Sequence, residues 1–150
     1  MRVKGYNIPA RLLYMKEHAW LSLDKSNLAR IGITDYAQKV LREITFVYLP
    51  RRGSRVRRLQ VVATVESVKA VSEVYSPISG QIVEVNDELV SKPKLMNQDP
   101  YRKGWIVALH PETLEEESSK LLKPKQYAEY VKRLTTMDRD LLIHRWKRRE

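Results

Sequence analysis

Short apolar runs separated by turn residues fill the first part of the chain. Residues 13–15 and 18–23 have the composition of short strands, and Trp20 is a large apolar anchor within the second run. Residues 24–27 supply a turn, and residues 28–33 alternate apolar with small or polar side chains, as a half-buried strand does. The pattern therefore predicts three strands before the first helix.

A short helix is predicted directly after these strands. Thr34 can cap the N-terminus of a helix over residues 35–41, whose inward face we expect to hold Tyr36, Val40 and Leu41. Residues 44–49 are rich in β-branched and aromatic residues, which favours another strand.

Two runs flank a lysine and have the pattern of a hairpin. Residues 59–65 are mostly apolar, which predicts a buried strand, and residues 69–75 are its return strand. Lys69 would then lie at the hairpin tip, although a single turn lysine is usually only a solvated charge.

Further strands are predicted over residues 81–85 and 104–109, the second of which brings Trp105 into the core. Residues 86–97 between them are irregular, with one helical turn. So many short strands at close spacing favour an all-β barrel or sandwich.

The last part of the chain has helical spacing. Residues 112–122 and 125–134 predict two helices separated by Pro124. A third amphipathic helix is predicted from four apolar residues, and we favour an ordinary packed helix over a recognition helix. These residues are Met137, Leu141, Leu142 and Trp146.

Composition limits the chemistry that the protein can perform. The 150 residues, 43% of them hydrophobic, suit a single domain over residues 1–150, with a core of about 12–111 and a helical extension of about 112–150. The chain has no cysteine, and its three histidines lack metal-ligand spacing, so a protein-built metal site is not expected. Because no apolar leader or membrane span is evident, we expect a cytoplasmic protein.

The net charge of +10 raises the question of an acidic partner. Nucleic-acid binding is not favoured, because no aromatic residues are interleaved with the arginines of residues 51–58 and no nucleic-acid motif accompanies the basic clusters. A solvated basic face or a dock for an acidic protein is preferred, and a nucleic-acid-binding barrel stays as an alternative. The clusters are Arg51, Arg52, Arg55, Arg57 and Arg58, and Arg145, Lys147, Arg148 and Arg149.

Four motifs occur in order over about two thirds of the chain. They are GITDYAQ at 32–38, ESVKAVSEVYSPISG at 66–80, VEVNDEL at 83–89 and NQDPYRKGW at 97–105. From residue 17 to residue 111 the chain thus resembles the H protein of the glycine cleavage system, a family of lipoyl carriers. The resemblance implies a mainly β fold, a flattened lipoyl/biotinyl-type β-barrel (barrel-sandwich hybrid), with a short internal helix and C-terminal helices.

The resemblance also implies a site and a cofactor. Lipoate would be covalently attached to Lys69. Lipoylating and partner enzymes would read the residues around it, which are Glu66, Ser67, Val68, Ala70 and Glu73.

The resemblance implies that the protein is a non-catalytic carrier. The lipoylated lysine would shuttle the aminomethyl group of glycine from glycine decarboxylase (P protein) to the aminomethyltransferase (T protein). Dihydrolipoamide dehydrogenase (L protein) would reoxidise the arm, and a lipoate-protein ligase or lipoyl transferase would load it. Such a carrier takes its chemistry from cofactors and has no partner in the membrane.

The chain departs from the family pattern at several positions. Ala19 precedes Trp20 where the family usually has an acidic residue. Glu17, which an extended strand would point to the same side, either substitutes for that acid in the cleft or is a solvated charge. Leu59 and Ala63 stand where glycine is common, which suggests an altered turn.

These departures keep a second carrier function open. A lipoate-binding protein of a sulfur-oxidation pathway would carry sulfur species on the same arm. The missing acid at Ala19 and the basic face favour it, whereas the ESVKAV segment favours the H protein.

Overall fold

The computed structural model describes the backbone of residues 1–149 and the side chains of residues 1–136. Most elements are short strands, followed by helices towards the C-terminus. The strands are β1 (Arg2–Val3), β2 (Tyr6–Asn7), β3 (Leu13–Tyr14), β4 (Ala19–Leu23), β5 (Ala29–Ile33), β6 (Ile44–Tyr48), β7 (Arg55–Val56), β8 (Val61–Ser67), β9 (Val71–Tyr75), β10 (Gly80–Val85) and β11 (Val107–Pro111). The helices are α1 (Asp35–Leu41), α2 (Glu88–Ser91), α3 (Leu95–Gln98), α4 (Leu114–Ser118) and α5 (Pro124–Arg149).

Two antiparallel sheets enclose the main core. The larger sheet has the strand order β3-β4-β5-β11-β10-β7, and the smaller has the order β6-β8-β9. Inward side chains of both sheets, among them Leu21, Ile31, Val65 and Leu109, form one apolar cluster. This arrangement confirms the mainly β fold of flattened barrel-sandwich type. The N-terminal strands β1 and β2 form a separate small ribbon.

A second apolar cluster lies on the outer face of the larger sheet. There the N-terminal segment and α5 cover Tyr14 and Trp20, and the rings of Tyr14 and Tyr127 stack with centroids 4.6 Å apart. Gly32 pairs with Trp20 across β4 and β5, and a Cβ on Gly32 would come within 2.5 Å of the indole. The predicted anchoring role of Trp20 is confirmed, because its side chain is only 1% exposed.

Helix α1 has the predicted bounds and cap, since the Thr34 side chain accepts a hydrogen bond from the Ala37 backbone N–H. Tyr36 is buried and Leu41 is half-buried, as expected. The prediction for Val40 was wrong: its side chain is 42% exposed, because the last turn of α1 borders an open cavity.

Strand β11 begins three residues later than the predicted strand over 104–109. A turn closed by hydrogen bonds from Gly104 N to Asp99 O and from Trp105 N to Arg102 O occupies the preceding positions. Ile106, rather than Trp105, is therefore fully buried, and Trp105 is half-buried.

Strand β8 also begins two residues late, because residues 57–60 form a turn in which Leu59 has a φ of 75°. The irregular stretch 86–97 contains two short helices, α2 and α3, instead of one helical turn.

The C-terminal prediction was wrong in two respects. The helix predicted over residues 112–122 is only the five-residue α4. Helix α5 runs without a break from Pro124 to Arg149, so the backbone of the predicted third helix continues the second. Pro124 occupies the first position of α5, where its missing N–H has no helical partner to lose. The side chains of Met137, Leu141, Leu142 and Trp146, and those of the second basic cluster, lie outside the described part. Among the described residues, no helix is both long and apolar enough to cross a membrane.

Candidate functional site

Lys69 lies at the tip of the β8–β9 hairpin. The two strands are joined by Val68, Lys69 and Ala70, and all three side chains are exposed. No carboxylate in the described part lies within 4.0 Å of the Lys69 amine. Its hydrogen-bond contact is a long one of 3.4 Å from Nζ to the Val40 carbonyl oxygen at the end of α1. The ammonium group is therefore accessible and weakly held.

The side chain of Ser67 organises this tip. Ser67 Oγ accepts hydrogen bonds from the backbone N–H groups of Lys69 and Ala70, both at 3.1 Å, and Ser67 N donates to Ala70 O at 2.8 Å. Tight hairpins usually need positive φ angles, yet neither Val68 nor Lys69 has one. The serine hydroxyl thus supplies the acceptor that a backbone carbonyl supplies in an ordinary tight turn.

The root of the hairpin is fixed to the rest of the smaller sheet. Val68 N donates to Glu43 O at 3.0 Å, and Tyr48 Oη donates to Glu66 Oε1 at 2.9 Å. This hydrogen bond raises the pKa of the Tyr48 hydroxyl above its ordinary value, so the hydroxyl stays a neutral donor. Glu66 is therefore held against the neighbouring strand.

Exposed apolar side chains surround the hairpin, and the sequence analysis missed them. We define the apolar rim as Phe46, Tyr48, Val68 and Val71, which are 42%, 50%, 62% and 66% exposed. Phe46 and Val71 flank Glu66 on one face of the smaller sheet. The spacing of Phe46 and Tyr48 was the available signal, because residues two apart in a strand share a face.

A cavity of about 330 Å³ lies beside the hairpin, between α1, β9 and the start of α5. Its wall is largely apolar, and the exposed side of Val40 connects it to Lys69. Glu73 and Glu17 bring two carboxylates to its lining. The structure thus brings Lys69, Glu73 and Glu17 to one region, although Glu66 and the turn residues are not part of the lining.

Glu17 reaches this cavity by a different route from the one that strand alternation suggested. Strand β4 begins at Ala19, and His18 has a φ of 68° and donates its N–H to Met15 O, so Glu17 lies in a turn. Ala19 is 1% exposed and pairs with Ile33 in the core. Position 19 therefore does not line the cavity, whereas position 17 does.

A hydrogen-bonded network borders the cavity at His18. His18 Nδ1 lies 2.8 Å from Tyr127 Oη, which lies 2.7 Å from Thr34 Oγ1. Burial raises the pKa of the Tyr127 hydroxyl far above its ordinary range, so Tyr127 remains neutral. The network joins the first turn of α5 to the cap of α1, two elements between which the cavity opens.

Arginines 51–58 lie at the other end of strand β8. Arg52 pairs with Asp87 at 2.7 Å, Arg55 pairs with Glu112, and Arg58 lies near Glu117. Part of the charge of this basic cluster is therefore neutralised locally. No group of three or more metal-ligating side chains was found among the described residues.

Comparisons with known proteins agree with this arrangement. A model of the Glycine cleavage H-protein family matches residues 12–134. A probable glycine cleavage system H protein of Pyrococcus furiosus is 47% identical over 134 residues, which cover 89% of this chain and 99% of that protein. A probable glycine cleavage system H protein 1 of Saccharolobus solfataricus is 45% identical over 132 residues, which cover 88% of this chain and 96% of that protein.

A solved structure extends the similarity to the fold. The crystal structure of a glycine cleavage system H protein from Mycobacterium marinum matches with a TM-score of 0.74 and 35% sequence identity. The match covers 81% of this chain and 97% of that chain. The chain belongs to the glycine cleavage H-protein family.

Proposed function

We propose that this protein is the lipoyl carrier of a glycine cleavage system, with lipoate attached to Lys69. The observation that carries the proposal is the exposed amine at the tip of an ordered hairpin, with no carboxylate partner within 4.0 Å in the described part and with a cavity beside it. An accessible amine on a rigid support is what a modifying enzyme needs to reach. We also propose that residues 1–150 act as a single carrier domain without a catalytic step of its own.

The residues around Lys69 fit an amide-linked arm. Amide formation replaces the charged ammonium with a neutral group, and the long 3.4 Å contact to Val40 O is easily given up. Because Ser67 holds the backbone on both sides of the tip, the arm would start from a fixed root. A fixed root keeps the arm's end at high effective concentration for an enzyme docked nearby.

The cavity next to the hairpin fits the loaded end of the arm. When bound, the lipoyl group supplies the dithiolane disulfide that accepts the aminomethyl group. Ile33, Leu41 and Val74 provide an apolar wall that excludes water. Glu73 and Glu17 provide negative charge for a cationic amine. Glu17 thus takes the place of the acid that is missing at position 19.

The partner enzymes follow from the family. We propose that the P, T and L proteins dock around the hairpin, and that a lipoate-protein ligase or lipoyl transferase loads it. The recognised surface would combine Glu66, Ser67, Val68, Ala70 and Glu73 with the apolar rim. Exposed aromatic and aliphatic side chains of this kind are typical of interface cores.

The attachment site is tested by mass spectrometry. The protein is incubated with a lipoate ligase, lipoate and ATP, and its intact mass and peptide map are measured. We expect one lipoyl group, on the peptide that contains Lys69. Addition to another lysine by an active ligase would contradict the attachment site.

The cargo is tested on the loaded protein. We expect a glycine decarboxylase to add one aminomethyl group to the arm in the presence of glycine, and no addition without glycine. A loaded arm that accepts sulfur species but no aminomethyl group would favour the sulfur-oxidation carrier instead. The first measurement therefore tests the attachment site, and the second tests the pathway in which the carrier acts.

A further inference from the structure

A second cavity, of about 500 Å³, lies on the outer face of the larger sheet. It shares no lining residue with the cavity beside Lys69. Three aromatic side chains contribute to it, Trp20, Tyr101 and Trp105, together with the cations of Arg11, Arg30, Arg102 and Lys103. We call it the Trp105 pocket.

The floor of the Trp105 pocket is fixed by buried hydrogen bonds. Trp20 Nε1 donates to Pro100 O at 3.0 Å, and Tyr101 Oη donates to Asn7 O at 2.6 Å while it accepts from Asp35 N at 2.9 Å. The two rings lie with centroids 6.2 Å apart. Both side chains are almost fully buried, Trp20 at 1% and Tyr101 at 8% exposed, so they form a rigid support beneath the pocket. The half-buried Trp105 is the aromatic surface that is open to a ligand.

One side of the pocket is formed by a stacked pair. The Arg30 guanidinium lies 5.4 Å from the centre of the Trp105 ring and is held by Asp24 at 3.5 Å and Glu84 at 3.7 Å. This pairing orients the half-buried indole and largely neutralises Arg30. Trp105 is thus a positioned aromatic surface at the pocket mouth.

The remaining cations at the rim are available. Arg11, Arg102 and Lys103 are exposed, and none has a carboxylate within 4.0 Å among the residues whose side chains are described. Asp99, in the same loop, accepts a hydrogen bond from the Lys103 backbone N–H at 3.2 Å. Asp99 therefore stabilises the backbone of the loop and does not form an ion pair with its cations. The rim therefore carries positive charge that the protein does not neutralise.

We propose that the Trp105 pocket binds a nucleotide with two or more phosphates. The base would contact the half-buried Trp105 indole, and the phosphates would contact Arg11, Arg102 and Lys103. Arginine and lysine are the side chains that recognise phosphate, and a flat base gains most from aromatic surfaces. A cavity of about 500 Å³ also falls within the usual range for small-ligand sites.

Local sequence patterns do not indicate this pocket, because its parts come from separate segments. Arg11, Arg30 and the 101–105 loop meet only when β4 and β5 pair and the loop folds over their outer face. Residues 51–58 have no aromatic residue interleaved with their arginines. In the fold, aromatic residues and cations do come together at a different place.

Binding is tested on the full chain with defined probes. ADP, ATP, adenosine and pyrophosphate are titrated separately while the Trp105 indole N–H signal is followed by NMR and the affinity is measured by calorimetry. We expect ADP and ATP to bind roughly tenfold or more tightly than adenosine or pyrophosphate, with a shift of the Trp105 signal. Equal affinity for pyrophosphate and ADP would overturn the proposal, since the base would then contribute nothing.

Substitutions distinguish binding in a specific pocket from nonspecific electrostatic attraction of the nucleotide. Arg102→Glu with Lys103→Glu is expected to weaken ADP binding at least about tenfold, and Trp105→Leu is expected to do the same. The matched control, Arg51→Glu with Arg57→Glu, makes the same charge change on the arginine turn and is expected to leave ADP binding within about twofold. An equal loss in both double variants would overturn the proposal.

Two further readouts make each outcome decisive. The dispersion of the NMR spectrum shows whether the double variants and Trp105→Leu are folded, and this readout does not depend on lipoylation of Lys69. Affinity for single-stranded oligonucleotides that rises steadily with length, without saturation at one nucleotide, would replace the small-ligand site by a nucleic-acid surface.

Discussion

The two ends of strand β8 have opposite chemistry. Residues 51–60 precede the strand and carry five arginines, whereas Lys69 lies in the tip that follows it. The strand has seven residues, so the two ends are separated by about 20 Å. One end is rich in charge and the other holds a single lysine in an apolar setting.

The arginine end uses much of its charge internally. Arg52 pairs with Asp87, Arg55 pairs with Glu112, and the charge of Arg58 interacts with the carboxylate of Glu117. Lys69, by contrast, has no carboxylate within 4.0 Å in the described part. The comparison shows that the number of charged residues in a segment does not measure the charge available to a partner.

The largest effect should come from replacing the lysine at the open end. We predict that Lys69→Arg abolishes lipoyl loading and leaves the free energy of unfolding unchanged within about 0.5 kcal/mol, because the side chain is exposed and weakly held. Intact mass after ligase treatment and urea unfolding measure the two quantities. Lys25→Arg, in an exposed turn, is the control and should load normally. A loaded Lys69→Arg protein would place the attachment site elsewhere.

Replacing Glu117 should destabilise the arginine end of the strand. Its carboxylate accepts hydrogen bonds from Ser79 N and Ser79 Oγ, both at 2.7 Å, and the side chain is near Arg58. We predict that Glu117→Gln lowers the free energy of unfolding by about 2 kcal/mol, because two hydrogen bonds to a buried charge are lost or weakened. Glu115→Gln, on the same helix but exposed, is the control and should change stability little.

The stability that Glu117 contributes should decrease as the pH falls. Burial alone would raise the pKa of Glu117, but hydrogen bonds from Ser79 and Thr113 and the charge of Arg58 outweigh burial and hold the pKa below its ordinary value of 4.5. The stabilisation is therefore present above pH 4.5 and is lost as the pH falls through the lower, folded-state pKa. The difference between the natural protein and Glu117→Gln, followed by urea unfolding, should shrink in that acidic range. A difference independent of pH would contradict the ionised state.

Local patterns in the sequence predicted most of the fold. The strand over 44–49, the helix over 35–41 and its Thr34 cap are correct because alternation and capping depend on neighbouring residues. Val40 was misplaced because its exposure depends on an open cavity between α1 and β9. Such a cavity is a property of packing between distant elements, which periodicity does not report.

In the candidate site, too, features set by neighbouring residues were predicted and features set by distant elements were not. The place of Lys69 at a hairpin tip follows from two flanking strands, which are local, and is what the sequence predicted. The turn at Glu17 depends on His18, whose φ of 68° no strand pattern indicates. The apolar rim was missed because Phe46 comes from a different strand and meets Val71 only through Glu66 in the folded sheet.

Replacing Ser67 should have a smaller effect, which tests whether the hairpin tip that carries Lys69 needs to be ordered. We predict that Ser67→Ala lowers the free energy of unfolding by only about 1 kcal/mol, since the two amides that it releases can bond to water. It should slow the rate of Lys69 loading several-fold, because the turn loses its acceptor. Loading rates come from a mass-spectrometric time course. Ser26→Ala, which removes the hydrogen bond that Ser26 Oγ donates to Asp24 in another turn, is the control and should leave the loading rate unchanged. Equal loading rates in both variants would contradict the ordering role of Ser67.

The smallest effect concerns the turn that starts β8 at the arginine end. Leu59 has a φ of 75°, a conformation that costs an L-residue about 1 kcal/mol, and its side chain is 49% exposed. We predict that Leu59→Gly raises the free energy of unfolding by about 0.5 kcal/mol, because relief of strain exceeds the entropy that glycine adds to the unfolded chain. Urea unfolding measures the change. Ala63→Gly is the matched control: Ala63 is buried within β8 and has no positive φ, so glycine should destabilise the protein by about 1 kcal/mol. If both substitutions destabilise the protein equally, the backbone at Leu59 is not strained, and the contrast between the two ends of β8 is one of charge alone.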